Sequence, residues 1–274
     1  MLLCGLAGST TGHSSLKPPP PEPRREPGAS PTGRRFKART SLRFMLLAED
    51  LLLLLTDDDT GKLAASSTEV DVALGGALLA ELALMDRVDV AGADGRVREG
   101  RLVVRDANPT ADSLLDEALA IVEHKEGKKP KSVVARLGKG LRVRLYDRLV
   151  QGGVLRAEGD RVLGILPTHR WPTNDAAHES SVRAALLTAL REGATADART
   201  GALVSLLLAL NAVHKTVDPD SLGLSKKELD ASAKRIAEGD WAAKAVRQAI
   251  DSMNAAVIAA TSSAVVVGSG GGSS

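Results

Sequence analysis

The chain has 274 residues, 43% of them hydrophobic and 26% charged, the composition of a globular protein with one large domain or two small ones. A single cysteine, Cys4, excludes a disulfide framework and a thiolate metal centre, and an aromatic content of 2% leaves the core to Leu, Val and Ala. The formal charge of +2 is unevenly placed, because residues 1–44 carry eight basic side chains against only Glu22 and Glu26. The body from Met45 onward is therefore mildly acidic, which argues against a general nucleic-acid binder.

Residues 1–44 hold seven of the twelve prolines, with Ser, Thr, Gly and Arg around the Pro18–Pro21 run, and read as a disordered tail. A basic arm for membrane or nucleic acid is the alternative to a tail with no role of its own. No segment has the ~20 apolar residues of a membrane span. The start, Met1-Leu2-Leu3-Cys4-Gly5-Leu6, lacks the basic region and the length of a signal peptide, so a cytoplasmic protein is expected. Met45–Leu55 is predicted as a short apolar helix or strand. Asp57-Asp58-Asp59-Thr60-Gly61 follows as a solvated turn, since the later ligands and closing glutamate of a calcium loop are missing.

Ser66-Ser67-Thr68-Glu69 has capping-box spacing, a hydroxyl and a carboxylate three apart. Behind it, from Val72 to Met85, only Glu81 is charged. A helix apolar all round is buried. These fourteen residues rise only ~21 Å, short of a ~30 Å hydrocarbon layer. The stretch is therefore predicted to be a central core helix wrapped by others. Arg87–Ala91 and Arg101–Arg105 flank a Gly-containing loop and predict a hairpin.

Ala111–His124 has apolar residues at helical spacing, Ser132–Leu137 is a short helix, and Leu141–Gln151 a longer one with Lys139, Arg142, Arg144 and Arg148 at or near it. After Gly152-Gly153, a strand at Val154–Ala157, a turn at Glu158-Gly159-Asp160 and a strand at Arg161–Leu166 predict a second hairpin. Helices at Glu179–Arg191 and Asp197–Val213 follow, then a capping box at Ser225–Glu228 and a long helix from Trp241 to about Val267. The predicted organisation is a tail at 1–44, one mainly α domain at 45–267 and a flexible Gly/Ser end at 268–274. The domain has buried central helices, amphipathic helices around them, and two β-hairpins.

No nucleophile elbow, Walker loop, dinucleotide fingerprint or zinc-ligand set is present. His124, His169, His178 and His214 are scattered, with no metal-ligand spacing. No catalytic residue, metal site or cofactor is predicted. The best chemical feature is cationic. Lys139 and Arg142 are one turn apart and can share a face, while Arg144 and Arg148 form an i,i+4 pair on another. A phosphorylated head group or a phosphate backbone suits such a face, and an ordinary solvated surface is the alternative. Leu141–Leu166 also reads as recognition helix plus wing, which makes a winged-helix-like nucleic-acid binder the rival.

These motifs in this order resemble the Golgi phosphoprotein-3-like family. The matching pieces are Leu79-Ala80-Glu81-Leu82-Ala83-Leu84, the Leu114-Leu115-Asp116-Glu117-Ala118-Leu119 run within Ala107–Leu119, Leu149-Val150-Gln151-Gly152-Gly153-Val154-Leu155, and Thr168-His169. Similarity runs from about Met45 to Ala264, and the Ala-, Arg- and Gly-rich composition points to a bacterial member. The resemblance implies a peripheral membrane adaptor that binds an anionic phospholipid head group, phosphatidylinositol 4-phosphate in the family, with no cofactor and no nucleic acid. The family's head-group pocket uses one tryptophan and three arginines. Those positions fall near Ser66, on Gly75, and on Lys139 and Arg142, so Lys139 and Arg142 are the implied head-group residues. An apolar hairpin after the basic helix serves the family in self-association or in touching the membrane. Here that implies Val154, Leu155, Val162, Leu163, Ile165 and Leu166, and a homo-oligomer.

Overall fold

A helix with no polar face needs apolar neighbours on every side, and the chain is folded to supply them. The computed structural model describes residues 45–57, 60–93, 97–156, 158–160, 168–170, 176–239, 251, 254–259 and 261–262. The expected tail at 1–44, the Gly/Ser end and most of the Trp241–Val267 helix lie outside these, although 254–259 are helical. The protein is mainly helical. Helix α1 (Leu47–Leu55) and the central helix α2 (Ser67–Leu84) come first, then β1 (Val88–Val90) and β2 (Leu102–Val104). Helices α3 (Ser113–His124), α4 (Lys131–Gly138) and α5 (Leu141–Gln151) follow, then β3 (Glu158–Asp160) and β4 (Thr168–Arg170). The chain continues through α6 (Ala176–Glu192), α7 (Ala198–Ala209), the short α8 (Val213–Thr216) and α9 (Lys226–Glu238). No helix of the described residues is long and apolar enough to cross a membrane.

Helix α2 begins as its sequence requires. The Ser66 hydroxyl accepts the Glu69 N–H, and the Glu69 carboxylate accepts the Ser66 N–H at 2.9 Å. Helix α2 then packs against α1, α3, α4, α5 and α7, and every residue from Val72 to Ala83 is buried. Strands β1 and β2 pair antiparallel with Val88 opposite Val104 and Val90 opposite Leu102, as the spacing predicts.

The second sheet departs from expectation. Strand β3 pairs with β4, Glu158 opposite Arg170 and Asp160 opposite Thr168, so the predicted turn is a strand. The cause is the end of α5. Gly153, at φ +74°, closes a Schellman motif in which the Val154 N–H donates to the Leu149 carbonyl at 2.9 Å and the Gly153 N–H to Val150. The chain folds back onto α5, and Leu155, 4% exposed, enters the core with Val154 packed beside it. Leu155 is thus part of the core and Val154 packs against it, and neither lies in β3 or β4 as the predicted strand required. Val162, Leu163, Ile165 and Leu166 lie outside the described residues.

Two buried ionic groups tie α1 to the rest. Glu49 and Asp50, 0% and 1% exposed, sit at the start of an otherwise apolar helix. Glu49 accepts the Leu46 N–H at 2.8 Å and pairs with Arg148 of α5 at 2.9 Å, while Arg148 also reaches Asp112. Asp50 accepts Arg199 of α7 at 2.9 and 2.8 Å and contacts His178 of α6 at 2.7 Å. Arg199 also donates to Glu81 of α2 at 2.9 Å, and Glu81 accepts the Leu47 N–H. One guanidinium therefore serves two buried carboxylates. Burial raises the Glu81 carboxyl above its ordinary value of 4.5 despite the pull of Arg199, and Asp50 adds to the rise. The contribution of the Glu81 carboxyl alone is complete below pH 4.5 and is lost as pH rises through its folded value.

Removing one partner from such a group leaves an uncompensated buried charge, at about 3–5 kcal/mol. Arg199→Ala should lower the melting temperature by roughly 6–20 °C in a domain of this size. A shift within error in a thermal melt would show that the ions on α1 do not hold it.

Candidate functional site

The site grows from a contact between two backbones. Helices α2 and α4 approach so closely that a Cβ on Gly75 would lie 2.7 Å from the Gly138 nitrogen and closer still to the Val134 carbonyl oxygen. A Cβ on Gly138 would collide with the Asp71 carbonyl. Real side chains never come this near, so each position admits glycine alone without movement of a helix. Helix α4 ends at Gly138, Lys139 caps it, and Gly140 at φ +69° starts α5. The reversal places Arg142 beside the first turn of α2, where its Nε donates to Asp71 Oδ1 at 2.9 Å.

A cleft of about 610 Å³ opens between this part of α5 and the loop leading into α2. Its walls are Gly61, Lys62, Leu63, Ala65, Ser66, Ser67, Arg142, Val143 and Tyr146. Two of the four positions that the resemblance implied, those of Ser66 and Arg142, thus face one space. Gly75 is absent from it, held in the α2–α4 contact, and Lys139 is exposed at the α4–α5 junction without lining the cleft.

The donors of the cleft can be assigned. Thr56 Oγ1 gives its only hydrogen to the Leu52 carbonyl at 2.7 Å, so in its 2.8 Å bond with Tyr146 the phenol must be the donor. Burial pushes the Tyr146 phenol above its ordinary value, which keeps it neutral. Toward the cleft, its oxygen can only accept. Arg142 bonds through Nε alone, which leaves its two terminal nitrogens without a protein partner among the described residues. Lys62 and Lys139 have no ion pair among the described residues. The N-terminal end of α2, at Ser66 and Ser67, adds a partial positive charge. The cleft can therefore hold an anion at Arg142 and Lys62, and its exposed Val143, 61% accessible, adds an apolar contact at the rim.

The other cations of α5 are committed. Arg144 grips Glu117 with two bonds of 2.8 Å, and this pairing holds the Glu117 carboxyl below its ordinary value. Arg148 is spent on Glu49 and Asp112. His169 and Arg170 lie on β4. Lys62 and Tyr146 were not singled out from the sequence. The signal for Lys62 was its place in the short loop before a capping box, whereas Tyr146 had only its helical spacing from Arg142.

Comparison with known proteins places the chain in a family. Residues 47–253 match the family model described as Golgi phosphoprotein 3 (GPP34). A vacuolar protein sorting-associated protein 74 from Eremothecium gossypii is 29% identical over 181 residues, which are 58% of this chain and 53% of the relative. The chain thus spans about half the length of the curated relative it matches.

The glycine contact gives a direct test. Gly75→Arg restores the charge that the resemblance places there and improves helix propensity by at most about 1 kcal/mol. Overpacking against backbone costs about 1–3 kcal/mol or more. The variant should melt lower than the parent and gain no anion affinity. Tighter vesicle binding with an unchanged melt would contradict the packing argument.

Proposed function

Because the chain belongs to the Golgi phosphoprotein 3 (GPP34) family, we propose that its cleft takes the phosphate of an anionic lipid head group and docks the protein on a membrane surface as an adaptor. The observation that carries the reading is the convergence of Arg142, Lys62 and Ser66 on one cleft of about 610 Å³. Phosphatidylinositol 4-phosphate is the family's head group. Here Ser66 offers no aromatic wall and Gly75 no charge, so the hold on any head group rests on fewer groups. The protein binds weakly as a single copy, and several copies acting together give useful retention.

Lys139 contributes from outside the cleft. It is exposed and unpaired among the described residues, so it acts as a diffuse attraction to the anionic surface and not as a fixed ligand. The nucleic-acid alternative draws less support. With Arg144 and Arg148 committed to carboxylates, α5 lacks the row of cations that a groove-reading helix needs. We also assign Val162, Leu163, Ile165 and Leu166 to a second contact, with the bilayer interface or another copy, because their apolar side chains exceed what a free wing requires. Val154 and Leu155 are left out of that contact because they are packed in or against the core.

Two measurements test these readings. Each basic residue near an anionic surface contributes about 1 kcal/mol, so Lys139→Ala with Arg142→Ala should weaken flotation with anionic vesicles roughly thirtyfold at low salt. Retention equal to the parent's would place the site elsewhere. Leu163→Asp should reduce oligomer mass or vesicle partitioning at an unchanged melting temperature. If the variant instead loses its cooperative melt, the segment is core and the second contact is wrong.

A further inference from the structure

A second cleft shares the loop that joins α1 to α2. It encloses about 490 Å³ between the end of α1, that loop, α6 and α8. Lys62 and Leu63 line both clefts. Three cations from three different elements line this one: Lys62 from the loop, Arg183 from α6 and Lys215 from α8. Arg183 is held in position, its Nε donating to Glu179 Oε1 at 2.7 Å and its NH1 reaching the Thr216 carbonyl at 3.5 Å. Glu179 therefore balances Arg183. Lys62 and Lys215 have no carboxylate partner among the described residues.

The polar groups of the cleft define what it can accept. Asp57 is the acidic residue in the lining, and its Oδ1 already accepts the Thr60 N–H at 2.8 Å and the Thr60 hydroxyl at 2.6 Å. The Thr216 hydroxyl donates to the Ala212 and Val213 carbonyls. With the hydroxyl hydrogens of Thr56, Thr60 and Thr216 all spent, the side-chain donors left for a ligand are the ammonium groups of Lys62 and Lys215 and the remaining guanidinium N–H groups of Arg183. A space lined by one positioned guanidinium and two ammonium groups, in excess of its carboxylate, favours a compact anion over a neutral or cationic molecule.

We infer that this cleft is a second anion site, which takes a phosphate monoester carried by a lipid head group or free in solution. Lys62 makes it a neighbour of the head-group cleft, and Lys62 is the residue whose loss weakens both. Lys215 belongs to the second cleft alone, and Arg142 to the first. The inference depends on the head-group reading only through Lys62, so the two can fail separately.

The test uses the full chain and inorganic phosphate, with backbone amides followed by NMR. Phosphate should shift the amides of Lys215 and Thr216 as a set with its own midpoint, apart from those of Ser66 and Ser67. Lys215→Glu should abolish the first set and keep the second. Arg142→Glu should do the reverse, and Lys215→Ala should weaken the first set to an intermediate degree. Absence of phosphate-dependent shifts at 215–216, or their survival in Lys215→Glu, would overturn the second site. A vesicle arm identifies the source. On phosphatidylcholine vesicles doped with phosphatidic acid, Lys215→Glu changes the charge by two units and should reduce retention roughly thirtyfold if the phosphate is a lipid's. Retention equal to the parent's, with the phosphate shifts lost, assigns the site to a soluble phosphomonoester.

Discussion

The close approach of α2 and α4 at Gly75 and Gly138 is the constraint on which the functional region depends. Two helices that meet backbone to backbone have no side chains between them to absorb a shift. The end of α4 is therefore fixed against Asp71, and the left-handed Gly140 immediately redirects the chain into α5. Arg142 reaches Asp71 because of that turn, and it lines one cleft with Lys62 and Ser66 of the loop. The same contact accounts for the missing charge. An arginine at position 75 and the observed helix spacing exclude each other, so the cleft has one guanidinium and a lysine from the loop.

The buried ions of α1 have a related role in holding the other wall. The loop from Thr56 to Ala65 leaves α1 and enters α2, so its position follows from theirs. Helix α1 is anchored by Glu49 to α5 and by Asp50 to α6 and α7, while Thr56 at its end bonds to Tyr146 of α5. Both clefts share this loop, and both have walls from the helices to which α1 is tied. Ion pairs of this kind are weak sources of net stability, because desolvation consumes most of the Coulombic gain, but they fix which helices meet.

Much of the fold was legible in the sequence because its signals are local. The capping boxes at Ser66 and Ser225, the apolar run of α2 and the alternation around β1 and β2 each act within a few residues, and each element forms where it was predicted. The second hairpin was misplaced because a Schellman turn at Gly153 competes with strand formation, and apolar content alone does not say whether Val154 and Leu155 extend or fold back. Glu49 and Asp50 carried a readable signal, two acids inside an apolar run, but their partners are 99 to 149 residues away in the chain and appear only in three dimensions. The site was half legible for the same reason. Arg142 followed from family position, whereas Lys62 and Tyr146 become neighbours of Arg142 only through the packing of α1, α2 and α5, and Lys139 lies outside the cleft.

The central claim is that the face formed by the α1–α2 loop and the start of α5 meets an anionic membrane. Hydrogen–deuterium exchange of the full chain, with and without vesicles containing phosphatidylinositol 4-phosphate, tests it most directly. The account predicts vesicle-dependent protection in peptides covering 61–67 and 139–146, absent with phosphatidylcholine alone and reduced by salt, which screens exposed charges within ~10 Å at 0.1 M. Firm vesicle binding with protection confined to other segments would contradict it.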